Sequence, residues 1–232
     1  MMHRFTDFTD PKRILLRRLI IGTSIVALLV LASPALAHHL MGGKIPTSAL
    51  QGFLSGLAHP LIGLDHAAFI LAVGLLAATK PRGLIIPIAF AVMAMVGTAI
   101  HLMGITLIGT ELGIAGSLVV FSLLLGLGNQ LPLAMMVTLA ALAGLFHGYG
   151  YGESIFGARL EPLISYLIGF TVIQLAVALG AFSLARASLV ARKLAPELIR
   201  SRLSIAGWVL CGVGLALIYG QGVDALLTSL RP

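Results

Sequence analysis

Long apolar runs constrain this chain more than any other feature of its sequence. Between residues 50 and 220 the chain repeatedly runs for about 18 residues with few charged side chains, as membrane-spanning helices do. Soluble domains carry roughly a quarter charged residues, whereas only 10% of the residues here are charged and 59% are hydrophobic. So few charges cannot cover the surface of a soluble protein. The sequence therefore predicts an all-α fold, a polytopic helical bundle in a lipid bilayer.

The first apolar run has the three-part pattern of a secretory signal peptide. Basic residues between Lys12 and Arg18 precede a short apolar core, Leu19 to Ala32, and Ala35-Leu36-Ala37 supplies a small-residue cleavage site. We predict a signal peptide over residues 1–37 that is cleaved after Ala37. The mature chain would then begin with His38 and His39.

The remaining runs predict one domain, residues 38–232, that crosses the bilayer about six times. Because proline removes a backbone donor and clashes with the preceding turn, we expect the first span to break or kink at His59-Pro60. The predicted spans are Leu50–Ala78, Leu84–Met103, Thr110–Leu127, Leu131–Tyr149, Leu160–Ala187 and Leu203–Gly220.

Basic residues between the spans give the chain an orientation. A cleaved signal places His38 outside the cytoplasm, and most bases of the mature chain then fall in connections that face the cytoplasm. These are Lys80, Arg82, Arg186, Arg192, Lys193, Arg200 and Arg202, against Lys44, Arg159 and Arg231 outside. We predict a multi-pass plasma (inner) membrane protein with both mature termini in the periplasm. Bases confined to short connections argue against a nucleic-acid partner.

Ionisable side chains inside the spans are the candidate functional residues, because burial in lipid costs them from about 2.5 kcal/mol upward. The first span holds His59, Asp65 and His66, and the fourth holds His147. Residues seven apart lie on nearly the same face of an unbroken helix, and a carboxylate next to an imidazole is suited to orient it. Imidazole and carboxylate are ligands for divalent transition metals. We interpret these residues as a ligand set or an ion path.

Two further sets of histidines leave alternatives open. His101, near the end of the second span, is either a ligand or an interhelical hydrogen-bonding group. The new α-amine with His38 and His39 is either a capture site for nickel or copper or simply a polar start of the mature chain.

Glycine patterns predict two local features. For the glycine-rich stretch from Gly148 to Glu153 we expect irregular backbone lining a cavity, with an outside loop as the alternative. Pairs of glycines four residues apart predict close helix packing. They are Gly52/Gly56, Gly109/Gly113 and Gly144/Gly148.

Two motifs carry a family resemblance. The first is His59-Pro60-x-x-Gly63-x-Asp65-His66, followed by Val73-Gly74, and the second is Phe146-His147-Gly148-Tyr149-Gly150-Tyr151-Gly152-Glu153. With these motifs, essentially the whole mature chain resembles the HupE/UreJ family of hydrogenase and urease accessory membrane proteins. Members are regarded as nickel or cobalt permeases with a signal peptide and about six spans. Many members have a histidine where this chain has Tyr151.

The resemblance implies uptake of a divalent metal, nickel or cobalt, as cargo rather than as a permanently bound cofactor. The residues it points to are His59, Asp65, His66, His147 and Glu153. Copper stays open as the ion because Met41, Met93, Met95 and Met103 offer soft sulfur, although these methionines are better explained by packing.

Partners and rival functions are less constrained by the sequence. Besides the metal ion and the lipid bilayer, a homo-oligomer, a metallochaperone or a metalloenzyme partner stays open. One alternative function is a non-transporting accessory protein for metalloenzyme assembly, for which the short connections offer little docking surface. An intramembrane metal-dependent enzyme is the other, but the sequence contains no His-Glu-x-x-His motif. We therefore predict no enzymatic activity.

Overall fold

The structure is a computed structural model that describes residues 44–128, 131–190 and 196–230. All regular secondary structure in these three segments is α-helical. The predicted signal peptide, His38 and His39 lie outside the described residues. The helices are α1 Ala49–Ile62, α2 Leu64–Ala77, α3 Ile85–Leu102, α4 Thr110–Gly126, α5 Leu133–Glu153, α6 Leu160–Val190 and α7 Pro196–Ser229.

The lengths and apolar character of the helices fit a membrane bundle. Four of them, α3, α5, α6 and α7, are each long and apolar enough to cross a membrane. Helices α1 and α2 are together long and apolar enough to cross a membrane, with a bend of 78° between them. Helix α4 is apolar but has only 17 residues. Each predicted span therefore corresponds to one helix or to the bent pair. The prediction of an all-α, membrane-type bundle is confirmed at this level.

The first span breaks at Gly63 and not at His59-Pro60, so the predicted position of the break was wrong. Helix α1 continues through Pro60 to Ile62, and Gly63 is extended, with φ −66° and ψ 107°. A Cβ at Gly63 would lie 2.6 Å from the His66 ring and 2.8 Å from Asp65 Oδ1. The chain bends where the missing side chain leaves room for the polar residues that follow.

Helices α3 and α5 pack with their backbones in direct contact. A Cβ added at Gly144 would meet the Phe90 carbonyl, and one added at Gly148 would meet the Ala94 carbonyl. Thr98 Oγ1 donates a hydrogen bond of 2.7 Å to the Gly148 carbonyl across the same contact. Close approach of this kind is how helices associate in lipid, and it confirms the prediction for this glycine pair.

The other two glycine pairs differ from each other. Gly52 and Gly56 press against the backbone of α6, as predicted. Gly109 instead precedes α4 in a left-handed conformation, with φ 76° and open space around it, while Gly113 faces the ring of Phe146. The packing prediction was therefore wrong for Gly109, where glycine permits the left-handed backbone conformation of the turn.

The glycine-rich stretch is helical, which corrects the expectation of irregular backbone or a loop. Helix α5 runs through it to Glu153. Gly148 lies against Ala94 and Gly152 lies against the ring of His101. Contacts with α3 therefore offset the low helix propensity of glycine, a local preference that tertiary packing often overrides.

The last two helices are longer than the spans predicted for them. Helix α6 has 31 residues and α7 has 34, against about 20 needed to cross the hydrocarbon. Helix α7 begins at Pro196, so Arg200 and Arg202 lie in its first turns and not in a connecting loop.

Replacing Gly148 with alanine should destabilise the protein, because the new Cβ collides with backbone that cannot move independently. We expect a loss of about 1–3 kcal/mol in the free energy of unfolding. Gly116→Ala is the matched control, since Gly116 is also helical but has nothing within 4 Å of an added Cβ. Unfolding of the purified full chain in detergent measures both variants. Equal stabilities would contradict the proposed α3–α5 contact.

Candidate functional site

The bend at Gly63 brings three histidines and a tyrosine together in the interior of the bundle. His59 comes from α1, His66 from the first turn of α2, and His147 and Tyr151 from adjacent turns of α5. The His66 ring centroid lies 5.6 Å from that of His59, 5.0 Å from His147 and 4.6 Å from Tyr151. The most exposed of the four, His59, is only 8% accessible. We call His59, His66 and His147 the histidine cluster.

A direct hydrogen bond joins two of these imidazoles. His66 Nδ1 and His147 Nδ1 are 2.8 Å apart, so one nitrogen donates and the other accepts. Ser117 of α4 decides which, because its hydroxyl proton is donated to the Ile114 carbonyl at 2.7 Å. His147 Nε2, 3.1 Å from Ser117 Oγ, must then be the donor to it. Neutral His147 thus accepts at Nδ1, and His66 donates from Nδ1.

Asp65 lies beside His66 at the start of α2. Its Oδ1 accepts the backbone N–H of His66 at 2.8 Å and is 4.0 Å from His66 Nε2. The Asp65 side chain is 21% accessible, so it connects the buried ring to the surface of the bundle. A carboxylate in this position is suited to hold a proton on the outer nitrogen of the imidazole.

His59 and Tyr151 lie beside the His66–His147 pair. His59 Nδ1 is 2.7 Å from Ser154 Oγ, just after the end of α5. The Tyr151 ring lies 5.3 Å from that of His59 and is fully buried. Its hydroxyl has no hydrogen-bond partner among the described residues. A buried polar atom without a partner is costly in a native protein and calls for an explanation.

Phenylalanine side chains pack against His147 and close that side of the cluster. Phe69, one turn after His66, lies 4.4 Å from the His147 ring and 5.0 Å from the rings of both Phe90 and Phe121. These three phenylalanines, which we call the aromatic floor, are at most 1% accessible. They belong to the main buried apolar core. The histidine cluster therefore borders a closed, apolar layer.

Two predicted site residues lie elsewhere. Glu153 is exposed at the last position of α5, six residues after His147 and so on a different face of the helix. The His101 ring packs against Tyr149, at 4.6 Å, and Phe156, at 5.6 Å. The structure thus groups His59, Asp65, His66 and His147, and does not bring Glu153 or His101 into that group.

The described side chains do not form a preassembled three-ligand metal site. No three His, Cys, Asp or Glu side chains in the described segments are arranged to hold a metal. Two nitrogens that bind the same ion at about 2.0–2.1 Å are roughly 2.9–3.4 Å apart. This separation is close to the 2.8 Å between the two Nδ1 atoms. The spacing of the pair therefore suits one shared ion, provided that the proton between the rings is displaced and the rings turn so that both lone pairs face the ion.

Sequence reasoning did not identify the hydroxyl-bearing neighbours of the cluster. Ser117 and Ser154 are small and uncharged, and nothing in the sequence shows that they face the histidines. Tyr151 was more accessible to prediction, since it lies four residues after His147 and so on the same face of α5.

Comparison with known proteins agrees with the two histidine motifs. A family model described as HupE / UreJ protein matches residues 26–217. The chain belongs to the HupE/UreJ family. It is 31% identical over 162 residues to protein HupE of Rhizobium leguminosarum bv. viciae. The aligned region covers 68% of this chain and 81% of that protein. No solved structure matches it. The family resemblance predicted from the sequence is therefore confirmed.

Proposed function

We propose that this HupE/UreJ protein is a permease that takes up a divalent transition metal ion, nickel or cobalt, into the cytoplasm for metalloenzyme maturation. In this proposal residues 1–37 are a cleaved signal peptide. The mature chain crosses the plasma membrane six times, with the α1–α2 pair and α4 each counted as one span. Both termini lie outside, and His38 and His39 capture the ion there.

The direct contact between His66 and His147 is the observation that carries the proposal. Two imidazoles hydrogen-bonded to each other inside an apolar bundle are expensive to bury, and ionisable groups at membrane depth mark ion pathways. Their nitrogens are spaced for one ion. His59 lies next to the pair as a further potential ligand.

Binding of the ion requires a change in the position of one proton. A ligand nitrogen must present a lone pair, whereas the Nδ1 proton of His66 now lies between the two rings. If His66 carries its proton on Nε2 instead, both Nδ1 atoms face the ion. Asp65 Oδ1, 4.0 Å from that Nε2, is placed to stabilise the new arrangement. Asp65 is thus a positioning residue for His66.

Passage through the bundle also requires the aromatic floor to open. In this conformation the buried phenylalanines and the apolar core beyond them block passage on that side of the cluster. A site of few ligands helps here, since a transported ion must bind well enough to enter and weakly enough to leave. The chain has no Walker motif. Transport would therefore be coupled to an ion or proton gradient or to a partner, or it would be facilitated diffusion without coupling.

The rival functions make different demands on the same site. An accessory protein that does not transport would need the histidines for binding but not for uptake. An intramembrane metalloenzyme would need a firmly held metal with an open coordination position. The donor set in the described residues is weaker than such a metal requires, and this favours the permease.

Alanine substitution in the cluster should strongly reduce metal uptake. Cells that express the full chain are expected to accumulate radioactive nickel or cobalt. His59→Ala or His66→Ala should reduce the initial rate about tenfold or more, since loss of even a group that only orients a metal ligand costs about 10–100-fold. His101→Ala is the matched control, because His101 packs outside the cluster, and it should transport nearly normally. A wild-type chain that imports neither ion contradicts the permease. Normal transport by both cluster variants contradicts the site.

Restoring a histidine at position 151 should strengthen metal binding. A neutral phenol is a poor ligand for nickel, whereas imidazole suits it well, and the Tyr151 ring already lies 4.6 Å from that of His66. We expect Tyr151→His to lower the dissociation constant for nickel on the order of tenfold, measured by calorimetry on the purified full chain. Tyr219→His, on the exposed surface of α7, is the control. An unchanged or weaker affinity in Tyr151→His would contradict ion binding at the cluster.

A further inference from the structure

A cavity lies at the end of the bundle far from the histidine cluster. Its volume is about 720 Å³, and residues of α2, α4, α6 and α7 line it. Leu76 and Thr79, at the end of α2, form part of its wall, and His66 is in the first turn of the same helix. At 1.5 Å of rise per residue, the cavity is therefore about 15–20 Å from the cluster.

Two basic residues line this cavity. Arg186 of α6 and Arg200 of α7 both line it, and no acidic residue is among its described lining residues. Arg186 Nη1 donates a hydrogen bond of 3.2 Å to the Ala78 carbonyl, which anchors the guanidinium at the cavity. A guanidinium has five N–H donors, so this bond leaves most of them for a ligand. Two arginines without a carboxylate between them favour an anion.

Helix α7 contributes two serines to the cavity besides Arg200. Ser201 follows Arg200 directly, and its hydroxyl is a further potential donor to an anion. Ser204 is not a donor here, because its hydroxyl proton is given to the Gly126 carbonyl at 2.7 Å. The nearest acid along α7, Glu197, precedes Arg200 by three residues and is not part of the lining.

Much of the remaining lining is apolar. Leucines from several helices contribute to it, among them Leu124 of α4, Leu189 of α6 and Leu203 of α7. A free phosphate ion would leave these leucines without a partner. A ligand with a phosphate at one end and a hydrocarbon chain at the other would contact both the arginines and the leucines.

We propose that this cavity binds the phosphate of an anionic phospholipid, with Arg186 and Arg200 holding the headgroup and the leucines contacting an acyl chain. Arginine pairs bind phosphate through charge-assisted hydrogen bonds, and basic pockets between membrane helices on the cytoplasmic side hold anionic headgroups. The proposal rests on the proposed topology, which places this end in the cytoplasmic leaflet. It does not depend on metal transport.

The single tryptophan of the chain provides the probe. Trp208 lies one turn after Ser204, and its ring is 3.3 Å from where a Cβ on Gly126, a lining residue, would be. The full chain is reconstituted in phosphatidylcholine bilayers, with brominated phosphatidylglycerol or brominated phosphatidylcholine added as the fluorescence quencher. The two quenching curves give the relative binding constant of the anionic lipid.

We expect the wild type to prefer phosphatidylglycerol about tenfold, and Arg186→Gln with Arg200→Gln to remove the preference. Arg202→Gln, which removes a charge from the same helix outside the cavity lining, should retain it. Loss of the preference when inorganic phosphate is added would identify free phosphate as the ligand and overturn the assignment to lipid. A wild-type ratio near one overturns the proposal whether or not the double variant folds. Because no metal is added, this result is independent of the uptake assay.

Discussion

The hydrogen bond between His66 and His147 is the interaction on which the rest of the site depends. It joins α2 to α5 through two buried imidazoles, and in an apolar interior each ring nitrogen needs a partner. Ser117 Oγ accepts from the far nitrogen of His147, while Asp65 Oδ1 accepts the backbone N–H of His66 and lies 4.0 Å from the far nitrogen of its ring. Helices α2, α4 and α5 are therefore held in one arrangement by a single chain of polar contacts.

Glycine makes that contact geometrically possible. The bend at Gly63 turns α2 away from α1, so that His59 and His66 both face α5 although the helix between them is broken. On α5, Gly148 and Gly152 allow close approach to α3, which fixes the turn that carries His147 and Tyr151. The same small residues that weaken the helices locally thus position the polar side chains.

Much of this architecture could be predicted from the sequence, because hydropathy alone locates helices in lipid. The apolar runs predicted each helical region, and the cost of burying His59, Asp65, His66 and His147 identified the residues that the structure groups. Sequence reasoning failed where packing decides the outcome. It placed the break at Pro60 and not at Gly63, where the side chains of Asp65 and His66 need the room. It also expected irregular backbone where α5 continues, because the contacts with α3 that stabilise this stretch are not visible in the sequence. Glu153 and His101 were polar residues near a membrane end, but their helix faces direct them away from the cluster.

Nickel-edge X-ray absorption on the purified, nickel-loaded full chain reports the atoms bound to the ion and so tests whether the histidine cluster binds it. We expect imidazole scattering in the wild type, reduced in both His66→Ala and His147→Ala and unchanged in His101→Ala. A coordination shell of oxygen alone, or imidazole scattering that survives in both cluster variants, would show that the cluster does not bind nickel.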